Sequence, residues 1–519
     1  MQNCKMDFIG SSVKIFLNSF ATNFFRSAEF LVVLFLLQTK IIWASQQIEV
    51  ILKLSTSQTI LVEIKSEKTD IFWEFLTSYA DRSDLEKRIE NLKFFDENGG
   101  MVFYEKIGKG KFITDRPVRH LRYNVNVAPA DNFAGIAHVS WINQFYGLLV
   151  LADLIPRNFE TASAKLFFSF PSRWQILLND DKEAVKNLSG DKVGENFSSE
   201  RGAYFVVERI EKAVFLICQE FREKNFSVGK TAVSFVFIGD WEFVEQASEL
   251  AKKIFIEYTS RLGRLLFPKI RIFLLPFPEQ TRFNYWQAET KGATVTIVSA
   301  PAVFKSNALN LLSEQLRHEI LHLWIPNSLA LRGNYDWFFE GFVIYQSLKT
   351  GVFLGEIRFE DFLSHIATAF DSVQNQGFPE TSLIELSRNR WQTSKQKLLY
   401  AKGLLVAFLF DISLLKAGKN GVEIIFRELL HKFSNKSEDA NKAVLAILRK
   451  YDENLVSRYI EGATPISLQS YIAEFGIQIK KNSGRTRFEL TEDLSARQKD
   501  LLKRLGYNQW RKISVRVKS

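Results

Sequence analysis

From Gln46 to about residue 200, apolar and polar positions alternate with period two in short runs separated by polar breaks. Ile48 to Leu54, Thr59 to Ile64, Leu121 to Val127 and Ala164 to Phe170 all carry this pattern. Successive side chains of a strand face opposite sides, so the pattern predicts half-buried strands packed as a sandwich. A charged stretch, Asp81 to Leu92, has helical spacing and is expected to insert between strands. From about 201 the period changes. Val233 to Ile238 predicts a short strand, Trp241 to Arg264 a helix, Ile270 to Leu275 and Ala293 to Ser299 strands, and Asn307 to Trp324 a helix. Helices are then expected over roughly 337–349, 358–374, 396–416, 421–433 and 437–451. Strands first and helices afterwards predict an α+β, multidomain chain. A β-sandwich is expected over 46–200 and a mainly helical domain over 201–476. A basic C-terminal tail over 477–519 is expected to hold one helix, Ser495 to Leu505.

Residues 1–45 fit a different class. Lys5, Lys14 and Arg26 precede an unbroken apolar run, Phe30 to Leu37. That run is too short to span a bilayer, which needs about 20 residues. It suits the core of a signal peptide cleaved near Ala44 or Ser45, or an N-terminal anchor. The expectation is export to a periplasmic or extracellular space, with any membrane association through this segment alone. Composition then narrows the chemistry. Two cysteines in 519 residues, Cys4 and Cys218, exclude a disulfide scaffold and an all-cysteine zinc site. The net charge is +10, but the basic residues are scattered and densest in the last forty positions, so nothing points to nucleic acid. There are only 6 histidines, which makes any pair of them informative.

Residues 318–322 read His-Glu-Ile-Leu-His. Positions i and i+4 of a helix share one face, so His318 and His322 can reach one zinc ion, with Glu319 beside the water that would complete the site. A catalytic zinc needs a third protein ligand. Asp336 and Glu340 both follow within twenty residues, and Glu340 is better placed, at the opening of a second helix, Trp337 to Tyr345.

With HEILHLWIPN followed by WFFEGFVIY, the chain resembles the gluzincin metallopeptidases, in particular the aminopeptidase-N-like and glycyl-aminopeptidase-like families. Trp324 and Asn327 fall where those families have Trp and Asn. Seventeen residues, 323 to 339, separate His322 from Glu340, one fewer than the usual aminopeptidase-N spacing. The resemblance implies a thermolysin-like catalytic domain behind the sandwich, one zinc per chain on His318, His322 and Glu340, and Glu319 as general base. Tyr400, in Tyr400-Ala401-Lys402-Gly403, resembles the family tyrosine that stabilises the oxyanion. His138 to Trp141 and Asp153 to Pro156 resemble the sandwich that precedes the catalytic domain in glycyl-aminopeptidase-like proteins; His138 is expected to be structural. Ile344 stands where thermolysin itself has Asp, so that branch fits less well. The PDZ domain that follows in many glycyl-aminopeptidase-like proteins has no counterpart.

One departure bears on substrate. The aminopeptidase-N-like Gly-x-Met-Glu-Asn strand, whose Glu holds the substrate amino group, corresponds to Gly292-Ala293-Thr294-Val295-Thr296, which lacks the carboxylate; Glu289 lies nearby in sequence. The resemblance therefore implies a zinc-dependent peptidase acting on a peptide or protein. The family favours an aminopeptidase, and the missing carboxylate argues for an endopeptidase. Two rivals are a zinc-binding but catalytically silent protein that binds a partner, and a non-metal structural protein. Side-chain preference and oligomeric state have no sequence signal.

Overall fold

The structure, a computed structural model, describes residues 47–178, 200–302, 304–375, 381–388, 393–482 and 484–507. The expected leader and Cys4 lie outside them.

The alternating N-terminal runs form an eight-stranded sheet. Its main path runs Glu200–Val207, Ser163–Pro171, Gln47–Thr56, Thr59–Glu74, Lys111–Asn126, Ile89–Phe95 and Met101–Val102. Gln47–Thr56 shows why the pattern was readable: Ile48, Val50 and Leu52 are buried while Gln47, Glu49 and Ile51 are exposed.

Against this sheet packs a small one, in the order Gln175–Leu177, Val214–Cys218, Tyr146–Val150 and Trp141–Ile142. Every residue of Val214–Cys218 is buried, because both faces of this sheet are covered. Phe215, Ile217 and Leu149 face the large sheet. Val214, Leu216, Cys218, Leu148 and Val150 face the other way, onto a third sheet.

The third sheet comprises β1 (Arg222–Val228), β2 (Thr231–Phe237), β3 (Lys269–Pro276), β4 (Trp286–Lys291) and β5 (Thr294–Ser299), in the order β1-β2-β3-β5-β4. Strands β2, β3 and β5 are parallel; β1 and β4 run antiparallel to their neighbours, which leaves β4 at an edge. Val236, Phe273, Leu275 and Val298 meet the small sheet. Phe235, Ile272, Leu274 and Ile297 point to the opposite side, into a helical core. That core is built from α1 (Val244–Leu262), α2 (Lys305–His322), α3 (Asp336–Phe353), α4 (Phe359–Asn375), α5 (Thr393–Lys416) and the helices that follow. Helix α5 is long and apolar enough to cross a membrane, but its apolar length is buried among the others, which is the environment a helix apolar on all sides requires.

Three expectations differ from this architecture. The strands expected to end near 200 continue beyond it: Glu200–Val207 completes the large sheet and Val214–Cys218 joins the small one. The helix expected over Asp81 to Leu92 is a single 3₁₀ turn, Leu85–Arg88, followed by the strand Ile89–Phe95. There Arg88 is drawn inward by Asp153, at 2.5 Å, and donates to the Ser140 carbonyl at 3.0 Å. Charge spacing alone does not reveal a buried partner. Residues 477–507 are no tail. Two paired strands, Ile477–Asn482 and Arg485–Leu490, lead to a helix, Ala496–Leu505, started by a Ser495–Gln498 capping box. Phe488, Leu501, Leu502 and Leu505 are buried in the helical core, while Lys480, Lys481, Arg487, Lys499 and Lys503 stay exposed.

Cys218 sits between the small and third sheets. Burial pushes its thiol up to about 12. At pH 8 the thiolate fraction is then on the order of 10⁻⁴. The native protein should leave Cys218 unmodified by iodoacetamide over hours and expose it on unfolding in guanidinium, as mass spectrometry would read.

Candidate metal centre and its cleft

Helix α2 buries Leu312, Leu316 and Ile320 on one stripe, which turns His318 and His322 toward α3. The two Nε2 atoms are 3.1 Å apart. From α3, Glu340 Oε2 lies 3.7 Å from His318 Nε2 and 3.9 Å from His322 Nε2. One ligand atom from each of the three lies within 4.8 Å of the others, and among the described residues this is the group of three or more His, Cys, Asp or Glu side chains so arranged. Asp336, the other acid considered, is buried in the first turn of α3 and is not in that group. His322 Nδ1 is 2.9 Å from the Ile325 carbonyl, which can only accept, so Nδ1 is the donor there and Nε2 is the atom turned toward His318 and Glu340. Burial alone would disfavour a charged His318; the hydrogen bond to Glu340 and the charges of Glu319, Glu340 and Glu314 outweigh it and raise the imidazole above its usual range. Two imidazoles with an acid converging on one point are a donor set that fits zinc.

Glu340 and Tyr400 flank one backbone contact between α3 and α5. Each follows the rule that helices approach as closely as their smallest residues allow. A Cβ on Gly341 of α3 would meet the Gly403 backbone at 2.5 Å, and one on Gly403 of α5 would meet the Trp337 carbonyl oxygen at 2.8 Å and Gly341 at 2.9 Å. Glu340 immediately precedes the first glycine. Tyr400 lies one turn before the second, on the same helix face. Its hydroxyl receives a hydrogen bond from Gln396 Nε2 at 3.1 Å, and it lines the same cleft as the three ligand residues. Between Tyr400 and Gly403, buried Lys402 donates to the Thr381 carbonyl at 2.8 Å, and burial lowers its ammonium to about 8.

Strand β4 forms another wall. The Thr290 hydroxyl lies 2.8 Å from Glu319 Oε2 and 2.9 Å from the Glu319 carbonyl oxygen, which fixes the Glu319 carboxylate between edge strand and metal ligands. Asn327 ties the end of α2 to the same edge: its Nδ2 donates to the carbonyls of Thr290 and His322, each at 3.1 Å, and its Oδ1 accepts from Gly292 N at 2.8 Å. Trp324 donates to the Gly263 carbonyl at 3.1 Å, behind α1. Both residues singled out beside the histidines thus brace the helix that carries them.

The cleft has a volume of about 580 Å³. The strand beside α2 is β4, not Gly292 to Thr296: Gly292 sits in the turn after β4 with φ +56°, and Thr294 to Thr296 belong to the inner strand β5. The wall therefore has a carboxylate, Glu289. It accepts from the Tyr79 hydroxyl at 2.5 Å, pairs with Lys291 at 2.7 Å, and meets His138 Nδ1 at 2.5 Å. Burial would raise its pKa, but Lys291 and His138 hold it well below the usual carboxylate range. His138, expected to be structural, lines the cleft. Sequence reasoning missed β4 because Trp286-Gln287-Ala288-Glu289-Thr290-Lys291 has no apolar alternation. The signal available was its position, between a strand and the histidine helix.

No family model matches the chain, and no curated protein does. Solved structures do. An aminopeptidase N family protein from Idiomarina loihiensis is 16% identical, covers 87% of this chain and 82% of its own, and superposes with a TM-score of 0.66. An M1 zinc metallopeptidase mutant from Deinococcus radiodurans, bound to a Tyr-Ser-Ala substrate, is 14% identical, with coverage of 82% and 95% and a TM-score of 0.52. The unmutated Deinococcus enzyme gives 14% and 0.51. At these identities the likeness establishes a shared fold.

Replacing His318, His322 or Glu340 by Ala should abolish stoichiometric zinc in dialysed protein, measured by plasma mass spectrometry, while Asp336→Ala should leave it in place. Gly403→Ala should force α3 and α5 apart, costing about 1–3 kcal/mol of stability and weakening zinc retention, read by chelator competition.

Proposed function

We propose that the protein is a zinc-dependent peptidase, and an aminopeptidase within that class. The observation that carries this reading is the convergence of His318, His322 and Glu340 in a cleft that an edge strand also lines, with Glu319 held to that strand by Thr290. A shared fold with M1 zinc metallopeptidases supports it. Zinc held by the three ligands would acidify a bound water and polarise the scissile carbonyl.

The chain's own residues supply the rest. The free edge of β4 can take an extended peptide by backbone hydrogen bonds. Glu319, oriented by Thr290, accepts a proton from the attacking water and delivers it to the leaving nitrogen as the C–N bond breaks. The Tyr400 hydroxyl donates a hydrogen bond to the carbonyl oxygen as negative charge gathers there. Glu289 is the carboxylate suited to a substrate α-ammonium: it lies on β4 and lines the same cleft as Glu319. The missing carboxylate argued for an endopeptidase; Glu289 on β4 supports the aminopeptidase reading instead.

Glu319→Gln should keep one zinc per chain and lose about 10³-fold or more in peptide hydrolysis. Tyr400→Phe should keep zinc and KM and lower kcat about 10²-fold. Retained turnover in Glu319→Gln, followed by release of free amino acid, would remove the proposed mechanism.

A further inference from the structure

Glu289 is already occupied. A carboxylate offers about four lone-pair sites. Oε1 takes both the Tyr79 hydroxyl at 2.5 Å and Lys291 Nζ at 2.7 Å, and Oε2 takes His138 Nδ1 at 2.5 Å. Lys291 is held in turn: its ammonium donates to the Tyr79 oxygen at 2.8 Å and stands 4.2 Å from the centre of the Tyr79 ring. Glu289 and Lys291 are two apart on β4 and share a face. Their side chains are each 14% exposed, so little water screens the pair.

We propose that Lys291 is a built-in competitor of the substrate: its ammonium occupies the seat on Glu289 that a peptide's α-ammonium would take, and so sets how tightly free-amine peptides bind. This rests on the reading of Glu289 as the amine-binding carboxylate. The chemistry of the two groups is the same, a primary ammonium donating to one carboxylate, so the intramolecular partner has the advantage of being tethered. An entering α-ammonium must either displace Lys291 or bind beside it, where it meets a like charge. Tyr79 strengthens the competition. Burial and the Glu289 charge hold its hydroxyl protonated, with the pKa raised to about 12, so it donates to Glu289 while accepting from Lys291. Tyr79 and His138 come from the N-terminal half of the chain, so the competitor is clamped from across the cleft. The effect is on binding rather than chemistry, because neither Lys291 nor Tyr79 is placed to touch the scissile bond in the proposed mechanism.

The test is calorimetric binding of an alanyl tripeptide and its N-acetyl form to zinc-loaded Glu319→Gln protein, with and without Lys291→Met. Lys291→Met should tighten the free-amine peptide about tenfold and leave the acetylated one within about twofold. No change, weaker binding of the free amine, or an equal change for both peptides would overturn the proposal. If Lys291→Met does not fold, Tyr79→Phe, which loosens Lys291 while keeping its charge, should shift the same ratio in the same direction; an unchanged ratio counts against the proposal. In the otherwise native enzyme, Lys291→Met should act on KM for free-amine peptides and leave kcat within about twofold. Because binding is read without turnover, a chain that hydrolyses no peptide yet shows the shift sinks the peptidase reading and keeps the competitor. Hydrolysis without the shift does the reverse.

Discussion

His318, His322 and Glu340 can converge because two helices meet backbone to backbone. Gly341 and Gly403 leave no room for a side chain on either, and the helices that carry them also carry Glu340 and Tyr400. Close approach of packed helices ordinarily costs interdigitated side chains, which set the separation at about 8–10 Å. Here glycine removes that spacer at one point only, and the neighbouring residues, Trp337, Phe338, Phe342 and Leu404 to Phe408, fill the rest of the interface. Rigidity of the site therefore comes from a packed apolar surround, and the polar groups are carried at its edge.

Around that contact the electrostatics are graded. The histidine pair faces one carboxylate within 4 Å and a second, Glu319, held by a threonine hydroxyl. Four like or ionisable groups in so small a volume would repel or pair among themselves in water. Their joint arrangement suits a divalent cation, which would satisfy two imidazole lone pairs and neutralise the acids at once. Farther along the wall, Glu289 and Lys291 cancel one another. The cleft thus separates a region that calls for a cation from a region already balanced.

The large elements were legible because burial imposes a period. The N-terminal strands alternate and α4 shows a helical stripe, so many of the elements and the spacing of the histidine pair could be read from the sequence. Spacing favoured Glu340 over Asp336, but the Gly341–Gly403 crossing beside it, a contact between residues 62 positions apart, could not be read from it. What escaped were segments whose partners are polar. Arg88 reads as a surface charge until Asp153 is seen beside it. The basic residues past 477 hide the alternation that buries Thr486 and Phe488.

Strand β4 is the clearest instance, and its illegibility follows from its place. An edge strand next to a cleft has one face toward neighbouring protein, another toward a polar cavity, and one backbone edge unpaired within its sheet. Apolar alternation would fill the cavity and invite edge-to-edge association. Charged and hydroxylated residues avoid both, and they are the residues that can orient Glu319 and hold a balanced ion pair. The positions most able to act on a substrate are therefore those that hydrophobic periodicity is least able to mark. In this chain the weak resemblance at Gly292 pointed to the neighbouring turn because it matched glycine, whereas the carboxylate lay three residues earlier on the strand that the histidine helix packs against.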